Sequence, residues 1–131
     1  MALSHHPARD GTRIEIDHVP AYLALELASH AWAEALAAAS NSLVTAAEVM
    51  VVHISSDFSR ELFVGSADVQ VVVTRLGVSS LVVDVSIFQN DVRAAVASFT
   101  LVRVVDGSSS PLTDAERASI ASLVSEGALQ V

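Results

Sequence analysis

The sequence predicts an α+β domain in which a curved antiparallel sheet wraps around one long central helix. Three observations carry this expectation. The stretch Pro20 to Ala39, PAYLALELASHAWAEALAAA, is apolar nearly all the way round a helical wheel, as expected of a helix enclosed by other elements. The chain that follows supplies four long segments rich in Val, Ile, Leu and Phe, each bounded by turn residues. The length, 131 residues, fits a single domain that buries roughly two thirds of its unfolded surface.

Taken in order, residues 1–11 are polar, contain His5, His6, Pro7 and Gly11 without periodicity, and are expected to form a frayed arm. Thr12 to Val19 alternates, with Ile14, Ile16 and His18 on one face, and predicts a short strand. Pro20 stands where a first helical residue is expected, its missing N–H costing nothing there. Within the helix Glu26, Ser29, His30 and Glu34 fall on one thin strip beside Tyr22. Ser40 to Ser42 end it. Thr45 to Ser56 predicts a strand with Val49, Val51 and His53 on one face and Met50, Val52 and Ile54 on the other. Asp57 to Gly65 breaks the pattern and predicts a bend or bulge. Ser66 to Leu76, Ser79 to Phe88 and Val92 to Val105 predict three further strands. Gly77 marks one turn, Gln89-Asn90-Asp91 a hairpin, and Asp106 to Ser110 a plain loop. Thr113 to Ser125 predicts a terminal helix opened by a Thr113–Glu116 capping box. Several strands are apolar on both faces, as in Val71-Val72-Val73 and Leu81-Val82-Val83, so self-association is expected.

Composition narrows the function classes. The formal net charge of −8 argues against general nucleic-acid binding, which needs a basic stripe. All seven basic residues are arginine, so each cationic site can grip a phosphate in bidentate fashion. Cysteine is absent, which removes disulfides, a thiolate nucleophile and Cys-ligated metal. No basic start precedes an apolar run, and Glu26, His30 and Glu34 interrupt the apolar helix. Neither secretion nor a membrane span is indicated, and a cytoplasmic protein is expected.

The order of elements, with DFSRELFVG at Asp57 to Gly65, RLGVSSL at Arg75 to Leu81, VRAAVASFTLVRVVD at Val92 to Asp106 and PLTDAER at Pro111 to Arg117, resembles the hot-dog-fold acyl-CoA thioesterases, closest to the 4-hydroxybenzoyl-CoA thioesterase-like group. The resemblance implies a hot-dog fold, a dimer or tetramer with a pocket at the subunit interface, and hydrolysis of an acyl-CoA or acyl-carrier thioester. Coenzyme A enters only as part of the substrate, with no separate cofactor. Where the family carries D-x-D-x-x-G-H-V-N, this chain has Asp17-His18-Val19-Pro20, lacking the glycine and asparagine. Some members place the carboxylate in the helix, as E-x-A-R-x-x-W, and Glu26, Ala28 and Trp32 match that spacing with Ser29 at the arginine position. Glu26 is therefore the first catalytic candidate and Asp17 the second.

Hydrolysis needs an activated water or an attacking carboxylate, and a dipole aimed at the carbonyl oxygen. The helix start supplies that dipole through backbone amides near Tyr22 and Leu23. Burial would sharpen Glu26 as a base, and His30 follows at i+4, with His18 at the helix mouth. Arg75, with Ser79 and Ser80, is the candidate for the CoA phosphates, and Arg60 and Arg93 are weaker ones. Each has a plainer alternative: Glu26, His30 and Glu34 as a solvated strip, Asp17 as a turn residue, His18 and His53 as ordinary strand histidines, and the arginines as surface charges. Neither a metal-ligand spacing such as H-E-x-x-H, nor a G-x-S-x-G elbow, nor a Gly-rich phosphate loop occurs. Two other hypotheses stand beside hydrolysis: a non-catalytic hot-dog binder of acyl-CoA or another apolar ligand, and a cone-shaped NTF2-like fold.

Overall fold

The central helix, α1, runs from Ala21 to Ser40 in a computed structural model that describes residues 1–3 and 18–130. No side chain caps its start, no acid stands in its first turn and no base in its last, so burial holds it in place. Ala28 and Leu36 are fully covered and Trp32 nearly so. Each large apolar side chain buried in this way stabilises by about 2 kcal/mol. At the other end Asn41 takes a left-handed conformation (φ 53°) and Ser42 N–H returns to the Ala37 carbonyl at 2.8 Å, closing the helix as such caps do. Buried Ser40 donates to the Leu36 carbonyl at 2.6 Å and accepts from Val44 N–H at 2.9 Å.

In chain order the strands are β1 (Ala2–Leu3), β2 (His18–Val19), β3 (Val49–Phe58), β4 (Leu62–Phe63), β5 (Gly65–Ser66), β6 (Asp68–Leu76), β7 (Ser80–Gln89), β8 (Val92–Val105), β9 (Ser108–Ser109) and β10 (Val124–Gln130). A second helix, α2, spans Asp114–Ser119. The main sheet has the order β10-β6-β7-β8-β3; β10 joins β6 in parallel and every other main pairing is antiparallel. Val83, Val85 and Ile87 of β7 and Ala95, Ala97, Phe99 and Leu101 of β8 are buried on one face of it. Alternation fixes which residues turn inward. The helix lies on that face in two clusters. Its middle and end meet Val73, Leu76, Leu81 and Phe99, while Leu23 and Ala24 meet Val19, Leu62, Ile87 and Ala95.

The central helix, the four antiparallel strands and the hairpin match the sequence expectations; five details differ. Pro20 is the cap rather than the first helical residue, with φ −61° and ψ 154°. The expected free arm begins with Met1 and Leu3 held: β1 pairs with β5, Leu3 is buried, and Met1 exchanges hydrogen bonds with Ala67. Residues 4–17, which include most of the first expected strand, lie outside the described residues. In β3 the register shifts between Val51 and His53, so Ile54 shares the inner face with Val51 and His53 is turned outward. Asp106 to Ser110 is a hairpin, with Asp106 and Gly107 at positive φ and β9 folded back on β8. The terminal helix stops at Ser119; a 3-10 turn follows at Ala121–Leu123, and Val124 continues as β10. Leu123 and Val124 pack on the main cluster, so tertiary contact with β6 overrides their helical spacing.

Candidate functional site

The start of α1 meets the segment that leaves β3. Ser59 and Arg60 are fixed there because both backbone N–H groups donate to the Ala94 carbonyl, at 2.9 and 3.2 Å, and the Ser59 hydroxyl donates to β8 carbonyls at 3.2 Å. Leu62 and Phe63 then pair with Val19 and His18. The result is an open cleft of about 410 Å³ between β2, the first residue of α1 and the loop Phe58 to Leu62. His18, Ala21, Ser59, Arg60 and Glu61 face it. Phe58, 43% exposed, forms its apolar rim.

The electrostatics follow from the uncapped helix. Leu23 and Ala24 N–H both donate to the Pro20 carbonyl, at 3.1 and 3.4 Å, so the Leu23 amide expected to serve an oxyanion is already engaged. Ala21 also lines the cleft, and its N–H meets no backbone acceptor among the described residues. With no acidic side chain in the first turn, the positive end of the helix dipole is left for a ligand. Arg60, exposed and without an ion-pair partner among the described residues, adds a cation beside it.

The sequence candidates divide into four groups. His18 lines the cleft, and Leu23 is buried beneath it. Tyr22, Glu26 and His30 lie on the exposed strip of the helix and do not line the cleft; the sheet gives Glu26 none of the shelter expected for it, because the strip points away from the sheet. Asp17 lies outside the described residues. Arg75, Ser79 and Ser80 sit at the opposite end of the sheet. Ile87, which packs under the helix start, lies seven positions along β7 from Ser80; at about 3.3 Å per residue the two ends are roughly 23 Å apart. The turn there serves the fold: Arg117 Nη1 donates to the Gly77 carbonyl at 2.6 Å, and Leu112 and Arg103 N–H groups bind the Val78 and Ser79 carbonyls.

Glu61 was not among the sequence candidates. It stands next to Arg60 in DFSRELFVG, one of the segments that carried the family resemblance, but a bend of charged residues gives no sign of which side chain will face a cleft. Among the described residues no group of His, Asp and Glu is arranged to hold a metal ion, and no helix is long and apolar enough to cross a membrane.

A long helix packed against a largely antiparallel sheet, with a cleft at the helix start, defines the hot-dog class and sets aside the cone-shaped alternative. Residues 21–96, more than half of the chain, match the model of the thioesterase superfamily, and the chain belongs to that family. Membership places it in the class of thioesterases, hydrolases of acyl thioester bonds. No curated protein sequence matches it. Among solved structures it is similar to a Thermus thermophilus thioesterase complexed with coenzyme A and Zn, at 22% identity and a TM-score of 0.75 over 93% of this chain and 92% of that one. A predicted thioesterase from Bacillus stearothermophilus gives 18% identity and 0.75 over 92% and 94%. A 1,4-dihydroxy-2-naphthoyl-CoA thioesterase from Synechocystis gives 17% identity and 0.68 over 92% and 95%.

Proposed function

We propose that the chain hydrolyses acyl-CoA thioesters at the helix-start cleft, as a homodimer whose second protomer completes the site. The observation that carries this is the 410 Å³ cleft at the first residue of α1 in a member of the thioesterase superfamily. Water adds to the thioester carbonyl carbon, the oxygen takes the negative charge, and the C–S bond then breaks to release a thiol and a carboxylic acid. Amides of the first helical turn stabilise the oxyanion; removing such a donor from an active site costs about 3 kcal/mol. The CoA-bound neighbour from Thermus thermophilus supports coenzyme A as the carrier. The cytoplasmic setting expected from sequence is part of the proposal.

The carboxylate we assign to water activation is Glu26, with Asp17 in reserve. Glu26 lies little more than one turn into α1, on a strip that the sheet leaves open to a second protomer. The open β3 edge supports such a partner: Met50, Val51, Val52, Ile54 and Phe58 are each at least 40% exposed there, and Phe58 also rims the cleft. A second assignment is favoured by one observation, since among the described residues Glu61 is the carboxylate that lines the cleft.

Thiol release from aromatic and aliphatic acyl-CoA substrates, measured on wild type, Glu26→Gln, Asp17→Asn and Glu61→Gln, tests the proposal. The expected result is a fall in kcat of roughly a hundredfold or more for Glu26→Gln. Full activity in that variant with loss in Glu61→Gln transfers the role. Absence of release from every substrate, with acyl-CoA still raising the melting temperature, would replace the hydrolase by the ligand binder.

A further inference from the structure

The segment Ser59 to Phe63, which walls the cleft opposite the helix start, is an arch with both feet on one hairpin. Its first foot is on β8, where Ser59 and Arg60 bind the Ala94 carbonyl. Its second foot is on β7, and there a side chain makes the attachment. The Gln89 amide accepts from Phe63 N–H at 2.9 Å, donates to the Phe63 carbonyl at 2.7 Å and reaches the Ser66 carbonyl at 3.4 Å. The other edge of Phe63 pairs with His18, so Gln89 stands where a third strand would lie. A glutamine can do this because its amide carries one neutral donor group and one acceptor, the pair that a backbone N–H and C=O require. Gln89 is itself fixed: its backbone pairs with Val92 to close the β7–β8 hairpin, over a turn whose two residues, Asn90 and Asp91, both take positive φ.

These bonds add little to stability, because they lie at the surface, where water can satisfy both Phe63 groups nearly as well. What water cannot do is hold a distance. The cleft is the space between His18, Val19 and Ala21 on one wall and the arch on the other, and the pairing of β2 with β4 joins the two walls. Leu62, buried beneath the arch, ties it to the core by apolar contact, which is non-directional; the amide fixes the orientation. Gln89 does not line this cleft, yet it pins the joint between its walls to the hairpin. We propose that Gln89 is a positioning residue, which through Phe63 sets the spacing between the arch and the helix start and so the fit of the cleft to an acyl thioester. The inference rests on the hydrolase reading with Glu26 as its carboxylate. Glu26 and the amides of the first helical turn are not carried by the arch. Loosening the arch should therefore weaken the hold on substrate and leave the chemical step alone, which raises KM rather than lowering kcat.

Gln89→Leu, similar in size but without donor or acceptor, tests this on the full chain in two measurements. Amide hydrogen exchange over residues 59–66 should quicken severalfold, while β7 from Val83 to Ile87 stays protected and the protein melts close to wild type. Thiol release from benzoyl-CoA and octanoyl-CoA should show KM raised roughly tenfold, the scale of ordering a freed segment on binding, with kcat within about twofold of wild type. A role in stability alone gives a different pattern, since less folded enzyme lowers the apparent kcat and leaves KM unchanged; that result overturns the inference. So does exchange over 59–66 that matches wild type. If wild type releases no thiol from any acyl-CoA, the hydrolase reading fails, and exchange still decides the clamp: faster exchange in Gln89→Leu supports it, and unchanged exchange overturns it.

Discussion

Glu116 is a buried acid, 3% exposed, and its environment explains why it stays ionised. Burial pushes its carboxyl upward, but the Thr113 N–H (2.8 Å), the Arg103 guanidinium (2.7 Å), the Thr113 side chain and the Arg103 charge together hold it below the ordinary 4.5. The Thr113–Glu116 capping box was legible in the sequence; Arg103, which comes from β8, was not, because nothing local in the sequence brings it there. A carboxyl whose folded value is depressed stabilises fully above its ordinary value, and that stabilisation is lost as pH falls through the folded value. Glu116→Ala is therefore expected to cost about 3 kcal/mol at pH 7. The gap to wild type in urea denaturation should shrink as pH is lowered below 4.5. Trp32 makes a contrasting case. Its indole nitrogen is buried without a hydrogen-bond partner among the described residues, and its ring packs on Phe99 with centroids 6.2 Å apart. Trp32→Phe removes the unpaired N–H along with some volume and should cost under about 1.5 kcal/mol, whereas Trp32→Ala should cost about 4 kcal/mol in the same titration.

At the scale of elements, the β6–β7 turn is as tight as its glycine permits. A Cβ on Gly77 would stand 2.8 Å from Ser80 Oγ and 3.2 Å from its carbonyl oxygen, and the same turn receives Arg117 and Leu112. Gly77→Ala should destabilise by about 1–2 kcal/mol by thermal denaturation, with part recovered in the double variant with Ser80→Ala. The glycine was visible in sequence as a turn signal, but the purpose of the turn was not: Arg75, Ser79 and Ser80 read as a phosphate-binding group because they cluster along the chain. The fold puts them a sheet length from the cleft. The β7–β8 hairpin was fully legible, since Asn90 and Asp91 are residue types that accept the positive φ of 51° and 63° they adopt. The terminal helix was legible only at its start, where the capping box is local. Its end depended on β6 offering an edge to Val124–Gln130.

At the scale of the whole molecule, β3 and β10 are the two edges of the main sheet among the described residues, and most of β3 is apolar rather than defended by charge or proline. A second copy pairing along it is expected to make the melting temperature rise with protein concentration. Ile54→Arg should abolish that dependence and halve the mass measured by sedimentation equilibrium. A concentration-independent transition in wild type would remove the dimer and, with it, the enclosure of Glu26.

What the sequence determined by itself was whatever depends on periodicity and local chemistry: an enclosed helix from its all-round apolar wheel, strands from alternation, turns from Gly77 and Asn90-Asp91, and membership of a family from the motifs along them. Only the tertiary structure decided which polar residues share a cleft. Ala21, His18, Arg60 and Glu61 meet because β2, α1 and the loop after β3 converge on one end of the sheet, and the backbone bonds from Ser59 and Arg60 to Ala94 that fix this convergence span more than thirty positions of the chain. Periodicity is blind to contacts at such separation, for it records which face a residue occupies and not what another segment brings to that face.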